Sequence, residues 1–156
     1  MVSALARFFS RFAAKLHSLS VRLEWSAARA ELARIPGLAP MVGRYRASPE
    51  GKWTIGEDDI VNLYKFVGEH KPAHILELGM GIGLSTAVMA LALKHAGGTG
   101  RVTALEQLPK CVALARELMP KDLAPLVTMV EAPPIAFQVP GVSRYHYFCG
   151  YDWTPP

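Results

Sequence analysis

His74-Ile75-Leu76-Glu77-Leu78-Gly79-Met80-Gly81-Ile82-Gly83-Leu84-Ser85-Thr86 is the stretch whose reading decides the fold. An apolar run ends in an acid, Glu77, then passes through Gly79, Gly81 and Gly83 into a helical pattern over Leu84–His95. Strand, glycine turn and helix, in that order, is how open α/β sheets build a nucleotide crevice. A glycine can take positive φ and, lacking a Cβ, lets backbone approach a ligand closely. The helix that follows presents unpaired N–H groups to whatever binds there.

The spacing narrows the choice of ligand. The dinucleotide fingerprint G-x-G-x-x-G puts its third glycine where Leu84 stands, whereas this chain reads G-x-G-x-G, which weakens an NAD-dependent oxidoreductase reading. Nor does that fingerprint call for an acid at Glu77. A carboxylate at the end of a central strand suits a ligand carrying an ammonium group, as S-adenosylmethionine (SAM) does. After a Gly97-Gly98-Thr99-Gly100 turn, a short strand over Arg101–Leu105 leads to Glu106. An acid at the tip of a second strand accepts hydrogen bonds from ribose hydroxyls, and Glu106 follows the glycines at the ~20-residue remove expected of such an acid.

Residues 72–131 resemble the first half of a class I SAM-dependent methyltransferase. Glu77-Leu78-Gly79-Met80-Gly81-Ile82-Gly83 is similar to that family's glycine-rich first motif and Glu106 to its ribose acid, while Ser85-Thr86 resembles the branch that includes catechol-type O-methyltransferases. The resemblance implies an α/β Rossmann-like sheet with flanking helices, SAM as cofactor, and methyl transfer to an acceptor oxygen, nitrogen or carbon. It implies that Gly79, Gly81 and Gly83 let the backbone approach the methionine half. Glu77 would bind the ammonium side, directly or through water, and Ser85 would join the cofactor site. The third strand, Leu126–Val130, would end near the adenine ring, with Glu131 and Ala132 at the contact. Ser85 and Thr86 have an alternative role as helix caps. No general base or acceptor is assignable, and a metal is neither required nor excluded.

The resembled sheet has more strands than this chain displays. Pro134–Val139 alternates apolar residues, reaches Pro140-Gly141 and continues as Arg144–Cys149, which reads as a hairpin. Tyr151–Pro156 reads as a connector toward a further strand. A strand order of 3-2-1 would then leave the first strand, Ala73–Leu78, at an open apolar edge, which invites pairing with another chain. Residues 55–156 are therefore expected to be a SAM-binding domain that stops short of its fourth strand. The chain would be a piece of a longer protein, or be completed by a second chain or a homo-oligomer, or be a remnant; the first is preferred. A rival of another class is a non-catalytic interaction protein whose sheet a partner completes.

Composition is compatible with one folded domain. The 156 residues are 51% hydrophobic and 19% charged, which excludes wholesale disorder. No apolar run approaches the ~20 residues of a membrane span. Cys111 and Cys149 are too few for a disulfide framework, so a reducing, cytoplasmic setting is the default. Cys111 falls in an amphipathic helical pattern, Pro109–Met119, and reads as packing. Histidines 17, 70, 74, 95 and 146 have no zinc spacing. Tyr145, Tyr147, Phe148, Tyr151 and Trp153 read as one face of the hairpin, or else as an acceptor or partner surface.

The net charge of +4 is unevenly placed. Residues 1–23 hold Arg7, Arg11, Lys15 and Arg22, with no acid before Glu24, and Leu5, Phe9, Phe12, Leu16, Leu19 and Leu23 form an apolar helical stripe. The readings are a helix packed on the domain or a partner, a basic helix lying peripherally on an anionic membrane, or an organelle-targeting peptide. Spaced rather than clustered basic residues argue against nucleic-acid binding. The helical pattern continues through Trp25–Arg34, so residues 1–35 read as one basic helical segment, stopped by Pro36-Gly37. Prolines 36, 40 and 49 and glycines 37, 43 and 51 make residues 36–54 read as a linker. A helix over Glu57–Glu69 follows, its opening acids matched to the positive end of the helix dipole.

Overall fold

The computed structural model describes residues 27–132 and the backbone of residues 146–149. The expected stripe of residues 1–23, the first hairpin strand Pro134–Val139 with its Pro140-Gly141 turn, and the side chains of the aromatic cluster lie outside the described residues.

Among the described residues, four parallel strands form the sheet: β1 (His74–Leu78), β2 (Arg101–Glu106), β3 (Val127–Glu131) and β4 (His146–Cys149), in spatial order β3-β2-β1-β4. Register is continuous across it, Glu77 lying opposite Ala104 on one side and Phe148 on the other, and Glu106 opposite Glu131. A parallel central strand is covered on both faces, which is why β1 is an apolar run rather than an alternation: Ile75, Leu76 and Glu77 are all buried.

Helices supply the crossovers and the cover. α4 (Leu84–His95) joins β1 to β2 and α5 (Pro109–Leu118) joins β2 to β3. α4 is apolar around its whole circumference and every residue from Leu84 to Leu93 is buried, because it is wedged between β2 and the helices outside it. Burying each of its larger apolar side chains contributes about 1.5–3 kcal/mol relative to exposure. α5 opens with Pro109, tolerated in a first turn that needs no N–H, and buries Cys111, Val112, Ala115 and Leu118. α3 (Glu57–His70) lies on α4, with Glu57, Asp58 and Asp59 in its first turn and Ile60, Val61 and Val67 inward. Residues 27–34 are helical (α1), with Leu32 in the core.

Three expectations need correction. β1 is not at an edge, because β4 pairs with it in parallel on the side away from β2. For the same reason the sheet does have a fourth strand: residues 146–149, read as the return of a hairpin, are that strand. Third, residues 36–54 are not a linker. They contain α2 (Leu38–Arg46) and a short 3-10 turn (Gly51–Trp53), and Leu38, Met41, Val42 and Tyr45 are buried in the core shared with α4. Pro40 sits in the first turn of α2, where a missing N–H costs no helical bond.

Candidate nucleotide crevice

Strand order grows outward from β1 through β2 to β3, then returns to place β4 on the other side of β1. In open α/β sheets ligands bind where the order reverses, outside the carboxyl ends of the strands. The glycine turn leaves β1 at that point.

Gly79, Gly81 and Gly83 all have positive φ (83°, 54° and 83°), a conformation that costs other residues dearly. They divide into two kinds. A Cβ on Gly79 or Gly81 would meet nothing within 4 Å, so both border open space. A Cβ on Gly83 would lie 3.1 Å from the Ala115 Cβ, so this glycine lets the start of α4 pack against α5. The backbone N–H groups of Gly79 and Met80 both donate to the Leu105 carbonyl, at 2.9 and 3.0 Å, stitching the turn to the tip of β2.

Glu106 is the hub of this end of the sheet. One carboxylate oxygen accepts from the Gly81 N–H and the other from the Leu108 N–H, each at 2.9 Å. Its backbone carbonyl accepts from the Ala132 N–H at 3.1 Å. The glycine turn, the β2–α5 connection and the end of β3 are thus tied to one residue. Each carboxylate oxygen retains a lone pair after these bonds, so the group can still accept from a vicinal diol. Beside it, Ala132 is half-buried and Glu131 exposed at the end of β3.

Glu77 differs from expectation. Its side chain is fully buried, with one oxygen accepting from the Ser85 hydroxyl and the other from the Thr86 hydroxyl at 2.5 Å. Both donors come from the first turn of α4, so the acid anchors that helix start from below. Burial pushes its carboxyl up to about 7; the two hydroxyls oppose this and the Glu106 charge adds to it. A direct contact with a ligand's ammonium group would need surface that Glu77 does not have. Ser85 and Thr86 are likewise buried and turned toward Glu77.

No family model matches the sequence, and no curated protein matches it. Among solved structures, the chain is similar to the SAH-bound methyltransferase PaMTH1 of Podospora anserina, with a TM-score of 0.53 and 21% identity over 61% of this chain and 41% of that one. It is also similar to the SAH-bound O-methyltransferase of Bacillus cereus, with a TM-score of 0.44 and 22% identity over 65% of this chain and 42% of that one. The fold is a methyltransferase fold. The matched part spans about two fifths of either chain's length.

On that fold, the residues singled out from sequence fall into two groups. Gly79, Gly81, Glu106 and Ala132 meet at the carboxyl ends of β1 to β3, where Glu131 is exposed. Glu77, Ser85 and Gly83 act beneath them, as anchor and packing. Sequence reading missed the contribution of α2. Tyr45 is fully buried, its hydroxyl has no hydrogen-bond partner among the described residues, and burial, with Glu77 adding to it, pushes its phenol well above the usual range. Among the described residues no three His, Cys, Asp or Glu side chains could together hold a metal ion, and no helix is long and apolar enough to cross a membrane.

Proposed function

We propose that this chain binds SAM in the crevice at the end of β1 and β2, as the cofactor-binding part of a methyltransferase. The carrying observation is the tie between the Gly81 N–H and the Glu106 carboxylate, which sets a ribose-binding acid against a glycine turn bordered by open space. The residues fit the group: Glu106 has acceptor capacity left for ribose hydroxyls, and Gly79 and Gly81 leave the room that side chains would fill. Ser85, Thr86 and Glu77 hold the first turn of α4 beneath the methionine half, and Ala132 and Glu131 stand beside the adenine.

When bound, SAM supplies an electrophilic methyl group on its sulfonium. The chain's part is orientation, since fixing donor and acceptor in line turns a bimolecular step into an effectively unimolecular one. The backbone tie at Gly81 fixes the turn before any ligand arrives. Cys111, a buried free thiol, fits a reducing compartment such as the cytoplasm.

Calorimetric titration with S-adenosylhomocysteine tests this, with NAD as control. Saturable binding is expected, absent for NAD. Replacing Glu106 by Ala removes charge-assisted bonds to the ribose and should weaken binding about 10–100-fold. Equal affinity in parent and variant, or binding of NAD instead, would reject the assignment.

A further inference from the structure

The segment between α2 and α3 is held more tightly than a connection needs. At Gly51 a Cβ would collide with the Arg46 backbone carbonyl, so the 3-10 turn presses directly on the end of α2. The Thr54 hydroxyl donates back to the Gly51 carbonyl at 2.8 Å. Ile55 has no backbone–backbone hydrogen bond among the described residues. Its carbonyl accepts instead from Nη2 of Arg46 at 3.3 Å, while Nη1 of the same guanidinium donates to Glu57 at 2.9 Å. The other Glu57 oxygen accepts from Arg29 at 3.1 Å. Burial is the largest single influence on the Glu57 carboxyl and raises it, but the two guanidiniums together outweigh it and hold the group below the usual range. Farther back, Lys110 lies 3.3 Å from Glu50.

Three placements put this strap toward the carboxyl end of the sheet, where the glycine turn lies. α3 ends just before β1 begins, so its first turn lies toward the carboxyl end of the sheet. Lys110 follows Glu106 in the first turn of α5. Ile55 packs against the core cluster that contains Ile82 of the glycine turn and Leu84 at the start of α4.

We propose that Arg46 is a positioning residue: its fork fixes residues 51–56 as a wall of the crevice and so sets the affinity for the methyl donor. The proposal rests on the SAM reading above. Surface ion pairs add little to global stability, and the Arg46 side chain is 34% exposed, so its value lies in local order. A planar guanidinium can serve a carbonyl and a carboxylate at once, which an ammonium point charge cannot reproduce.

Trp53 rides on the strap, 65% exposed, and reports on it. With Trp25 and Trp153 replaced by Phe, it is the single indole. In that background the parent, Arg46→Ala and Arg46→Lys are compared by calorimetry with S-adenosylhomocysteine, acrylamide quenching of Trp53 and thermal melting. Arg46→Ala should weaken binding about tenfold, through the ordering cost returned to the strap. Quenching should rise while the melting temperature stays near the parent's. Arg46→Lys, which keeps the charge, should recover little of the affinity.

Unchanged affinity and quenching in Arg46→Ala, or full recovery in Arg46→Lys, would overturn the proposal. Loss of affinity in proportion to a lowered melting temperature would also overturn it, as a folding defect. If the parent itself fails to bind, the SAM reading falls and takes the affinity claim with it, a result distinct from a parent that binds and a variant that binds equally well.

Discussion

At the scale of single residues, Glu77 shows how a motif position can be legible while its role is not. The sequence marks an acid before a glycine turn, and the spacing alone cannot say whether that acid faces the ligand or the core. What decides is the next helix, whose first turn brings two hydroxyls onto the carboxylate. The arrangement has a measurable signature. With the folded carboxyl at about 7 against an ordinary 4.5, folding takes up a proton between those values. The protonated acid's contribution is complete below about pH 4.5 and is lost as pH rises through 7, worth about 3 kcal/mol in all. A Glu77→Gln variant keeps the shape and has no proton to lose. Its urea stability relative to the parent should therefore improve from pH 5 to about 7 and level off above that. Parallel curves for the two proteins would mean that the buried acid does not titrate in this range.

Among elements, those nearest the glycine turn were readable to within a residue or so. β1, α4, β2 and α5 combine apolar patterns with clear boundary signals: the glycines that end β1 and α4 and precede β2, and Pro109, which opens α5. α2 hides because the residues that mark breaks elsewhere are harmless here. Pro40 falls in a first turn, and Gly43 lies on the solvent side with open space around its Cα. That glycine is a weak point in a nine-residue helix. Replacing Gly43 by Ala introduces no clash and should add about 0.5–1 kcal/mol, seen as a higher denaturation midpoint. A lower midpoint would mean that α2 is not helical at Gly43. The place of β4 was hidden for a different reason. A Pro-Gly pair between two apolar alternations is a local hairpin signal, whereas residues 146–149 also pair with β1, far back in the chain, a contact that no local pattern records.

For the molecule as a whole, the main difference between expectation and structure is where the domain begins. Composition placed a flexible joint at residues 36–54, yet Leu38 and Tyr45 are wholly buried in the core shared with α4. Helices α1 to α3 and the sheet are consequently one cooperative body over the described residues. Trypsin gives a direct check, since Arg44 and Arg46 lie in the disputed stretch. Cleavage after either should track global unfolding across a urea series. Rapid cutting there in native buffer would restore the linker.

The sheet's strand order carries a consequence for how the molecule is made. A chain emerging from the ribosome can lay down β1, α4, β2, α5 and β3 in turn, each strand docking beside the one just formed. β4 breaks that run: it must travel back past two finished strands to reach the free side of β1. Contacts between distant parts of a chain form slowly, because loop closure is costly before any pairing rewards it. Among the described strands, the one that gives the crevice its second wall therefore docks after the other three. Until then the growing chain holds a finished glycine turn beside an apolar strand with one bare side, the interval in which a chaperone or a neighbouring nascent chain would find something to grip.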